Sequence, residues 1–331
     1  MKPTAHFSTQ DVIAFRADLL KWYRANRRDL PWRRTNDPYK IWLSEIMLQQ
    51  TRVAAVFEHY DRFLKRFPTV QKLAAAKEPS VLALWSGLGY YRRARNLQAA
   101  ARVVVREHSG EFPSTAAKLR SLAGIGRYSA AAVASIAFGE PVAVVDGNVE
   151  RVISRLLGKF VSGENLWATA NEILCPENPG DFNQAMMELG ATVCLPAEPS
   201  CTSCPVHAYC RTRGRHESLR KNPRQFKREI VYALQRDGNS TLLVKRAKNE
   251  RLMPSMWELP QIRLRKGDEQ LFSVRHSITV TDFTVRVIGR SDALAGTWVK
   301  DSRLKTLALT GLTKKILSRA GIIQLRKARP Q

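Results

Sequence analysis

Two carboxylates and four thiols are the groups in this 331-residue chain best placed to do chemistry. Glu45 lies in the stretch 42–51 (WLSEIMLQQT), which has helical spacing and apolar neighbours at Trp42, Ile46, Met47 and Leu48. Facing inward there, a carboxyl is desolvated and its pKa rises, which suits a general acid near neutral pH. Facing outward, it is one more solvated helical glutamate. Asp146 follows the apolar run Ala143, Val144, Val145 and precedes Gly147, Asn148 and Val149. An acid in that position is by default a helix N-cap, and a cap holds its carboxylate rigidly at an edge. Two carboxylates with opposed tasks are what cleavage of a glycosidic bond needs. One gives a proton to a poor leaving group, and the other stays ionised beside a developing cation.

The thiols are Cys194, Cys201, Cys204 and Cys210, spaced C-x6-C-x2-C-x5-C. Four cysteines so close together can ligate one metal centre. A pair of disulfides is disfavoured, because the chain is otherwise nearly free of cysteine and its first residues carry no secretory core. The spacing differs from the two distant C-x2-C knuckles of a zinc ribbon, yet four thiolates suit either a [4Fe-4S] cluster or a structural zinc. Cys175 is left over and reads as a small buried residue.

Lys and Arg number 54 against 29 acids, a formal net charge of +25. Such a charge calls for a polyanionic partner, most simply nucleic acid. The segment 122–130 (LAGIGRYSA) supplies a way to hold one. Gly124 and Gly126 leave backbone N–H groups unshielded at a helix start, a nest that suits a DNA phosphate. A lone G-x-G is more often only a tight turn. No apolar run is long enough to cross a bilayer, so no membrane partner is expected, and the chain reads as a soluble, cytoplasmic protein of a reducing compartment.

These residues need elements to position them. Apolar periodicity near 3.6 recurs in 10–25, 40–66, 80–107, 128–138, 149–157 and 181–193, with Pro and Gly between. After a basic, polar stretch the pattern turns to β alternation in 230–235, 241–246, 275–280 and 283–289. A hairpin turn is expected at Asp237-Gly238-Asn239 and a last helix at 312–320. The reading is an all-α domain over 8–210, including the cysteine loop 194–210, then a linker over 211–229 and a smaller α+β domain over 230–331.

The motifs at 30–33 (LPWR), 44–53 (SEIMLQQTRV), 87–97 (GLGYYRRARNL), 122–130, 145–152 (VDGNVERV), 186–194 (MMELGATVC) and the cysteine loop together resemble the MutY-type adenine DNA glycosylases. These belong to the helix-hairpin-helix, endonuclease III-like superfamily. The resemblance covers essentially the whole first domain. It implies a base-excision repair enzyme that flips adenine, mispaired with 8-oxoguanine or guanine, out of double-stranded DNA and hydrolyses its N-glycosidic bond. It implies that Glu45 protonates the base and serves the incoming water, that Asp146 stabilises the sugar cation, that Tyr128 supports this aspartate, and that Asn148 helps order the site. Gln50 and Tyr90 become the residues that enter the duplex. Arg28, Trp32, Arg33, Leu48, Val53 and Glu188 line the adenine pocket, and Gly124 and Gly126 hold phosphate. The resemblance also implies that the four cysteines bind a [4Fe-4S] cluster. Bifunctional relatives carry a lysine where this chain has Tyr128, and a phenol forms no imine, so base removal without strand cleavage is expected.

The C-terminal segment resembles the Nudix-like domain that reads the base opposite adenine, with 252–260 (LMPSMWELP) fitting its start. Its metal signature is missing, so no pyrophosphohydrolase activity is expected. The family's Phe-Ser-His loop is here Val274-Arg275-His276, and Arg275, His276 or Ser277 is the candidate reader. Glu198 stands in a loop where relatives carry cations, and basic residues such as Arg92, Arg93 and Arg95 are the expected compensation. Two rivals remain: a glycosylase for oxidised pyrimidines or for T opposite G, and a catalytically silent iron–sulfur DNA-binding protein. A monomer is expected, with the basic tail 322–331 open to DNA or a sliding clamp.

Overall fold

The computed structural model describes residues 8–214, 226–250, 253–278, 281–290, 292–304 and 306–324. Eleven helices come first: α1 (Thr9–Asn26), α2 (Pro38–Leu48), α3 (Val53–Arg66), α4 (Val70–Ala74), α5 (Glu78–Trp85), α6 (Arg92–Glu107), α7 (Ala116–Leu119), α8 (Arg127–Phe138), α9 (Gly147–Leu157), α10 (Gly163–Ile173) and α11 (Pro179–Thr192). The strands are β1 (Phe226–Leu234), β2 (Arg236–Asp237), β3 (Ser240–Lys245), β4 (Trp257–Glu258), β5 (Glu269–Ile278), β6 (Thr281–Gly289) and β7 (Thr297–Lys300). Helices α12 (Asp301–Leu304) and α13 (Gly311–Arg319) follow. A helical region followed by an α+β region is the order expected from the periodicities. β1 already begins at Phe226, inside the stretch expected as linker; residues 215–225 of that stretch, and 325–331 of the tail, lie outside the described residues.

The chain forms two compact units, each assembled from separated stretches. Met1–Gln49 with Val103–Lys221 makes the first, and Gln50–Arg102 with Asn222–Gln331 the second.

In the first unit α11 packs on α1, α8 and α9, and α2 packs on α8. The core contains Phe15, Leu19, Tyr23, Val152, Ile153 and Phe182. Local chemistry marks the ends. Ser8 caps α1 by accepting from Asp11 N, and Asp37 caps α2 by accepting from Tyr39 N. α8 and α9 stop at Gly139 and Gly158, both left-handed (φ 72° and 67°). Between α8 and α9 the extended residues 141–145 have no strand partner, so side chains satisfy their backbone. The buried Asn183 takes Val144 N on Oδ1 at 3.0 Å and donates through Nδ2 to Val142 O at 2.9 Å and Ser135 Oγ at 3.0 Å. Asn171 Oδ1 accepts from Ala143 N at 3.0 Å. The path into Asp146 is thereby set by α10 and α11.

In the second unit β1, β6 and β5 form one sheet, with β1–β6 parallel and β5–β6 antiparallel. β3 pairs with β2, β4 and β7 in another. The β2–β3 hairpin turns at Gly238 (φ 50°), as the sequence led one to expect. Leu243, Val285, Val287, Leu309, Ile316 and Leu317 fill this core. The stretch 50–102 belongs to the same unit through polar ties. Ser86 Oγ donates to Leu309 O at 2.7 Å, the Tyr91 hydroxyl to the same oxygen at 3.2 Å, Lys314 Nζ to Ser86 O at 3.2 Å, and Arg95 Nη2 to Pro254 O at 2.5 Å.

Candidate functional site

Glu45 sits on α2 with Ile41, Trp42, Leu43, Ile46 and Met47, all buried, and is itself 5% exposed. The inward orientation is therefore the one realised. Its Oε2 accepts a 2.6 Å hydrogen bond from the Tyr128 hydroxyl, delivered by α8. That hydroxyl also lies 3.4 Å from Met187 Sδ. Burial lifts the Glu45 pKa to about 7; the Tyr128 bond and Arg33 oppose the rise, and the charge of Asp146 adds to it. Burial likewise pushes the Tyr128 hydroxyl well above its usual range, so it stays a donor.

Asp146 is the N-cap of α9 as well as a site carboxylate, so both readings of it hold. Oδ1 accepts from Asn148 N and Val149 N, each at 2.8 Å, and Oδ2 accepts from Asn148 Nδ2 at 3.0 Å. Burial raises its pKa, while these bonds and Arg151 pull it down. The resemblance assigned Tyr128 to the aspartate; in the structure the phenol donates to Glu45 instead, because α2 and α8 are direct neighbours.

Arg28 and Arg33 form an ion cluster around the buried carboxylate of Glu188 in the same unit. Arg28 reaches Glu188 through Nε at 2.8 Å and Nη2 at 2.7 Å, and Arg33 Nη2 reaches it at 2.8 Å. Burial alone would raise this carboxyl, but the two guanidiniums and Arg28 N hold it at about 2. It is thus a fixed anion, unlike Glu45. Trp32, 6% exposed, lies in the 3₁₀ turn Pro31–Arg33, and Leu48 is half-buried at the end of α2. Gly124 (φ 76°) makes the turn between α7 and α8, and Gly126 is the N-cap of α8, with no side chain over the helix start. Open space surrounds the position a Gly126 Cβ would take.

Two residues that sequence reasoning missed connect this site to the cysteine loop. Arg151 donates to Asn148 Oδ1 (2.8 Å), Gly190 O (2.6 Å) and Cys194 O (2.8 Å). Arg155, 6% exposed, donates to Cys194 Sγ (3.2 Å), Leu195 O (2.7 Å) and Pro196 O (2.8 Å). The signal was present: two arginines four apart on a helix whose other positions, Val152, Ile153 and Leu156, are core. Gly190 lets α11 pass close by, since a Cβ there would fall 2.6 Å from Asn148 Cβ.

All four loop cysteines are half-buried and outside any disulfide. Cys194, Cys204 and Cys210 pack against the apolar core of the first unit. Burial, then repulsion among the thiols, raises Cys201 and lifts Cys204 to about 11. A cationic metal centre would relieve that repulsion, and Arg155 already places one cation at Cys194. Gly214 (φ 84°) leaves room at Cys201, whose Sγ would lie 3.3 Å from an added Cβ. The donor set fits a thiolate-bound metal group. Among the described residues no three ligating side chains meet the geometry of a metal-ion site, so the fit rests on donor chemistry and not on a preformed cage. Cys175 is buried, with its thiol 3.3 Å from Glu177 Oε2, as a packing cysteine should be.

The second unit carries the remaining candidates. Gln50 is exposed, Tyr90 is 46% exposed, and both have left-handed backbones (φ 55° and 45°). Val53 opens α3 and is half-buried. Val274, Arg275 and His276 do not form a loop: they lie inside β5, paired with Val285, Thr284 and Phe283 of β6. Alternation puts Arg275 and Ser277 on one face, both exposed, and His276 on the other, half-buried, where burial lowers its pKa. They cannot read one ligand together from a single face. The basic compensation expected of Arg92, Arg93 and Arg95 is also reduced. Arg95 is engaged by Glu78 and Pro254 O, Arg93 by backbone carbonyls, and only Arg92 of the three is exposed. Glu198 is exposed in its loop.

A glycine turn at the start of α8, a buried protonatable carboxyl and a capped aspartate thus lie in one helical unit. Residues 43–160 match the HhH-GPD superfamily of base excision DNA repair proteins, and the chain belongs to that family. It is similar to the adenine DNA glycosylases of Homo sapiens (50% identity over 222 residues, 62% of this chain and 41% of that protein) and Rattus norvegicus (51% over 221 residues, 62% and 43%). The chain thus spans under half the length of these mammalian relatives. Among solved structures it is similar to a thermostable thymine-DNA glycosylase (TM-score 0.59, 30% identity, 62% of this chain and 98% of that one). A trapped endonuclease III–DNA covalent intermediate aligns with a TM-score of 0.55 and 25% identity, over 62% of this chain and 97% of that one.

Proposed function

We propose that this chain is an adenine DNA glycosylase that removes adenine mispaired with 8-oxoguanine or guanine from duplex DNA and leaves the strand intact. The observation that carries the reading is the Glu45 carboxyl, buried, poised near neutral pH and hydrogen-bonded to Tyr128, in the same unit as the capped Asp146. In this reading Glu45 gives its proton to N7 of an extruded adenine. The C1′–N9 bond breaks and its electron pair leaves with the base. Asp146, ionised, faces the cation left at C1′. Water adds to C1′ and returns a proton to Glu45. Tyr128 offers no amine, so no imine forms and no strand scission follows.

The same reading assigns Gln50 and Tyr90 to the duplex, the Arg28–Glu188–Arg33 cluster with Trp32 and Leu48 to the base pocket, and Gly124 and Gly126 to phosphate. Cys194, Cys201, Cys204 and Cys210 would hold a [4Fe-4S] cluster, which would serve to order the loop. The α+β region is a Nudix-like reader of the opposite base, with Arg275 and Ser277 on the exposed face of β5. A cytoplasmic location, at the nucleoid if the source is bacterial, and a monomeric state belong to the same reading.

Single-turnover cleavage of duplexes with adenine opposite 8-oxoguanine, guanine or thymine, each split with and without alkali, tests it. Alkali-dependent product opposite 8-oxoguanine and guanine, with none opposite thymine, is expected. The similarity to a thymine-DNA glycosylase favours one alternative, removal of thymine; a fourth duplex with T opposite G tests it, and product from that duplex alone would select it. Strand breaks without alkali would overturn the monofunctional reading.

A further inference from the structure

Gln50 and Tyr90 share a rarity. A non-glycine residue in the left-handed region costs about 1–2 kcal/mol and persists only where its surroundings impose it. Each lies in a short break, between α2 and α3 for Gln50 and between α5 and α6 for Tyr90. Both breaks converge on one side chain. Arg93 Nη2 donates to Thr51 Oγ1 at 3.2 Å, one residue past Gln50. The same nitrogen donates to Leu88 O at 2.8 Å and Gly89 O at 3.4 Å, just before Tyr90. Its guanidinium lies 5.7 Å from the Tyr90 ring centroid and 5.4 Å from that of Trp85. Trp85 Nε1 in turn donates to Gly89 O at 3.1 Å. Burial lowers the Arg93 pKa to about 10, so it remains a cation at neutral pH and loses its charge to no ordinary condition.

We propose that Arg93 is a positioning residue that sets the turns of Gln50 and Tyr90 as one rigid pair before DNA arrives, so that its contribution is to base extrusion and not to bond cleavage. The proposal rests on the glycosylase reading for what the pair does, and on the contacts above for how it is held. The physical reason is preorganisation. Extruding a paired base costs a few kcal/mol of unstacking and unpairing, and side chains already fixed in the entering geometry lose no further freedom on insertion. Lysine at this position keeps the charge but not the planar fork, and so holds one turn at a time. Arg93 was expected to meet phosphate; these bonds give it a different task.

The test uses the full-length protein and two variants, Arg93→Lys and Thr51→Val, the latter untying only the Gln50 turn. Amide exchange of the free protein is read first. Arg93→Lys should speed exchange at both 49–52 and 87–91 by about tenfold, while Thr51→Val should speed only 49–52. Single-turnover base release is read next, on adenine opposite guanine and on adenine opposite an abasic gap, where no partner base resists extrusion. Arg93→Lys should slow the paired substrate about thirtyfold and the gapped one within about twofold, with the pH profile unmoved. Equal slowing on both substrates, or exchange that changes in one turn only under Arg93→Lys, overturns the proposal. A wild-type protein that releases no adenine from any duplex sinks the glycosylase reading, and the exchange pattern still decides whether Arg93 ties the two turns.

Discussion

The Tyr128 hydroxyl donates to Glu45 Oε2 at 2.6 Å, so the phenol that stands where lyase relatives carry an amine is committed to the carboxyl proposed as general acid. The bond stabilises the ionised carboxylate and thereby lowers the Glu45 pKa against a larger upward push from burial. Replacing Tyr128 by Phe should move the alkaline limb of the pH–rate profile to higher pH, with a rate loss of about tenfold from the freed carboxyl. A profile that moves to lower pH would contradict the assignment of the bond.

Glu45→Gln should abolish base release while DNA binding persists, as measured by single-turnover kinetics and by mobility shift on one duplex. It should also stabilise the fold in a pH-dependent way. Glu45 binds its proton more tightly folded, at about 7, than unfolded, near 4.5. The folded state therefore holds more protons between these values, and stability falls as pH rises through that window. Above about 7 the buried charge costs on the order of 3 kcal/mol, and the neutral amide avoids it. Thermal unfolding should show no gain for the variant at pH 4 and its full gain at pH 8.

Gly190→Ala places a methyl carbon 2.6 Å from Asn148 Cβ and 3.1 Å from its Cα and O. Something must shift, and Asn148 is the residue that holds Asp146 Oδ2. We expect a loss of about 1–3 kcal/mol in stability and a fall in rate larger than that stability loss explains at saturating DNA. Denaturant unfolding and single-turnover rates check the two halves separately. Unchanged kinetics would show that Asp146 is held by its backbone bonds alone.

Glu188→Ala should be worse for folding than a typical buried polar truncation. Arg33 has a side chain only 9% exposed and would be left without its carboxylate. Removing one partner of a buried pair costs about 3–5 kcal/mol. Glu188→Gln, which keeps hydrogen-bond acceptance without the charge, should recover part of it. Chemical denaturation of both variants measures the difference.

Purified protein should be brown, with broad visible absorption that Cys204→Ser weakens. A colourless protein carrying zinc would replace the cluster assignment with the alternative ion. DNA affinity should fall steeply with salt, since a +25 chain neutralises several phosphates, and a flat response would contradict that reading of its charge.

Much of the chemistry was legible in the residues themselves. The apolar neighbours of Glu45, the position of Asp146 before a helix, and the cysteine spacing are local patterns, and local patterns are what a sequence encodes most directly. The 3.6 periodicity marked α1, α8, α9 and α11, and β alternation marked β5 and β6. It could not mark the breaks at 49–52 and 86–91, because the apolar rhythm runs through them: 40–66 and 80–107 each read as one helix. Those breaks hold Gln50 and Tyr90 in a backbone region that propensity disfavours, and Arg93 bonds to both, locally at Leu88 O and across 42 residues at Thr51 Oγ1. The partners of Arg151 and Arg155 were hidden for the same reason, since a long cation reads as surface until a loop some 40 residues away is folded against it. At Val274–His276 the two readings of the sequence disagreed, alternation over 275–280 giving a strand and the family match a loop; the strand is the one realised, paired with β6. Residue types and short spacings thus determined which groups this protein can use. Burial, which set Glu45 near 7 and Glu188 near 2, was decided only when separate elements closed around them, because desolvation and ion pairing depend on neighbours that sequence distance conceals.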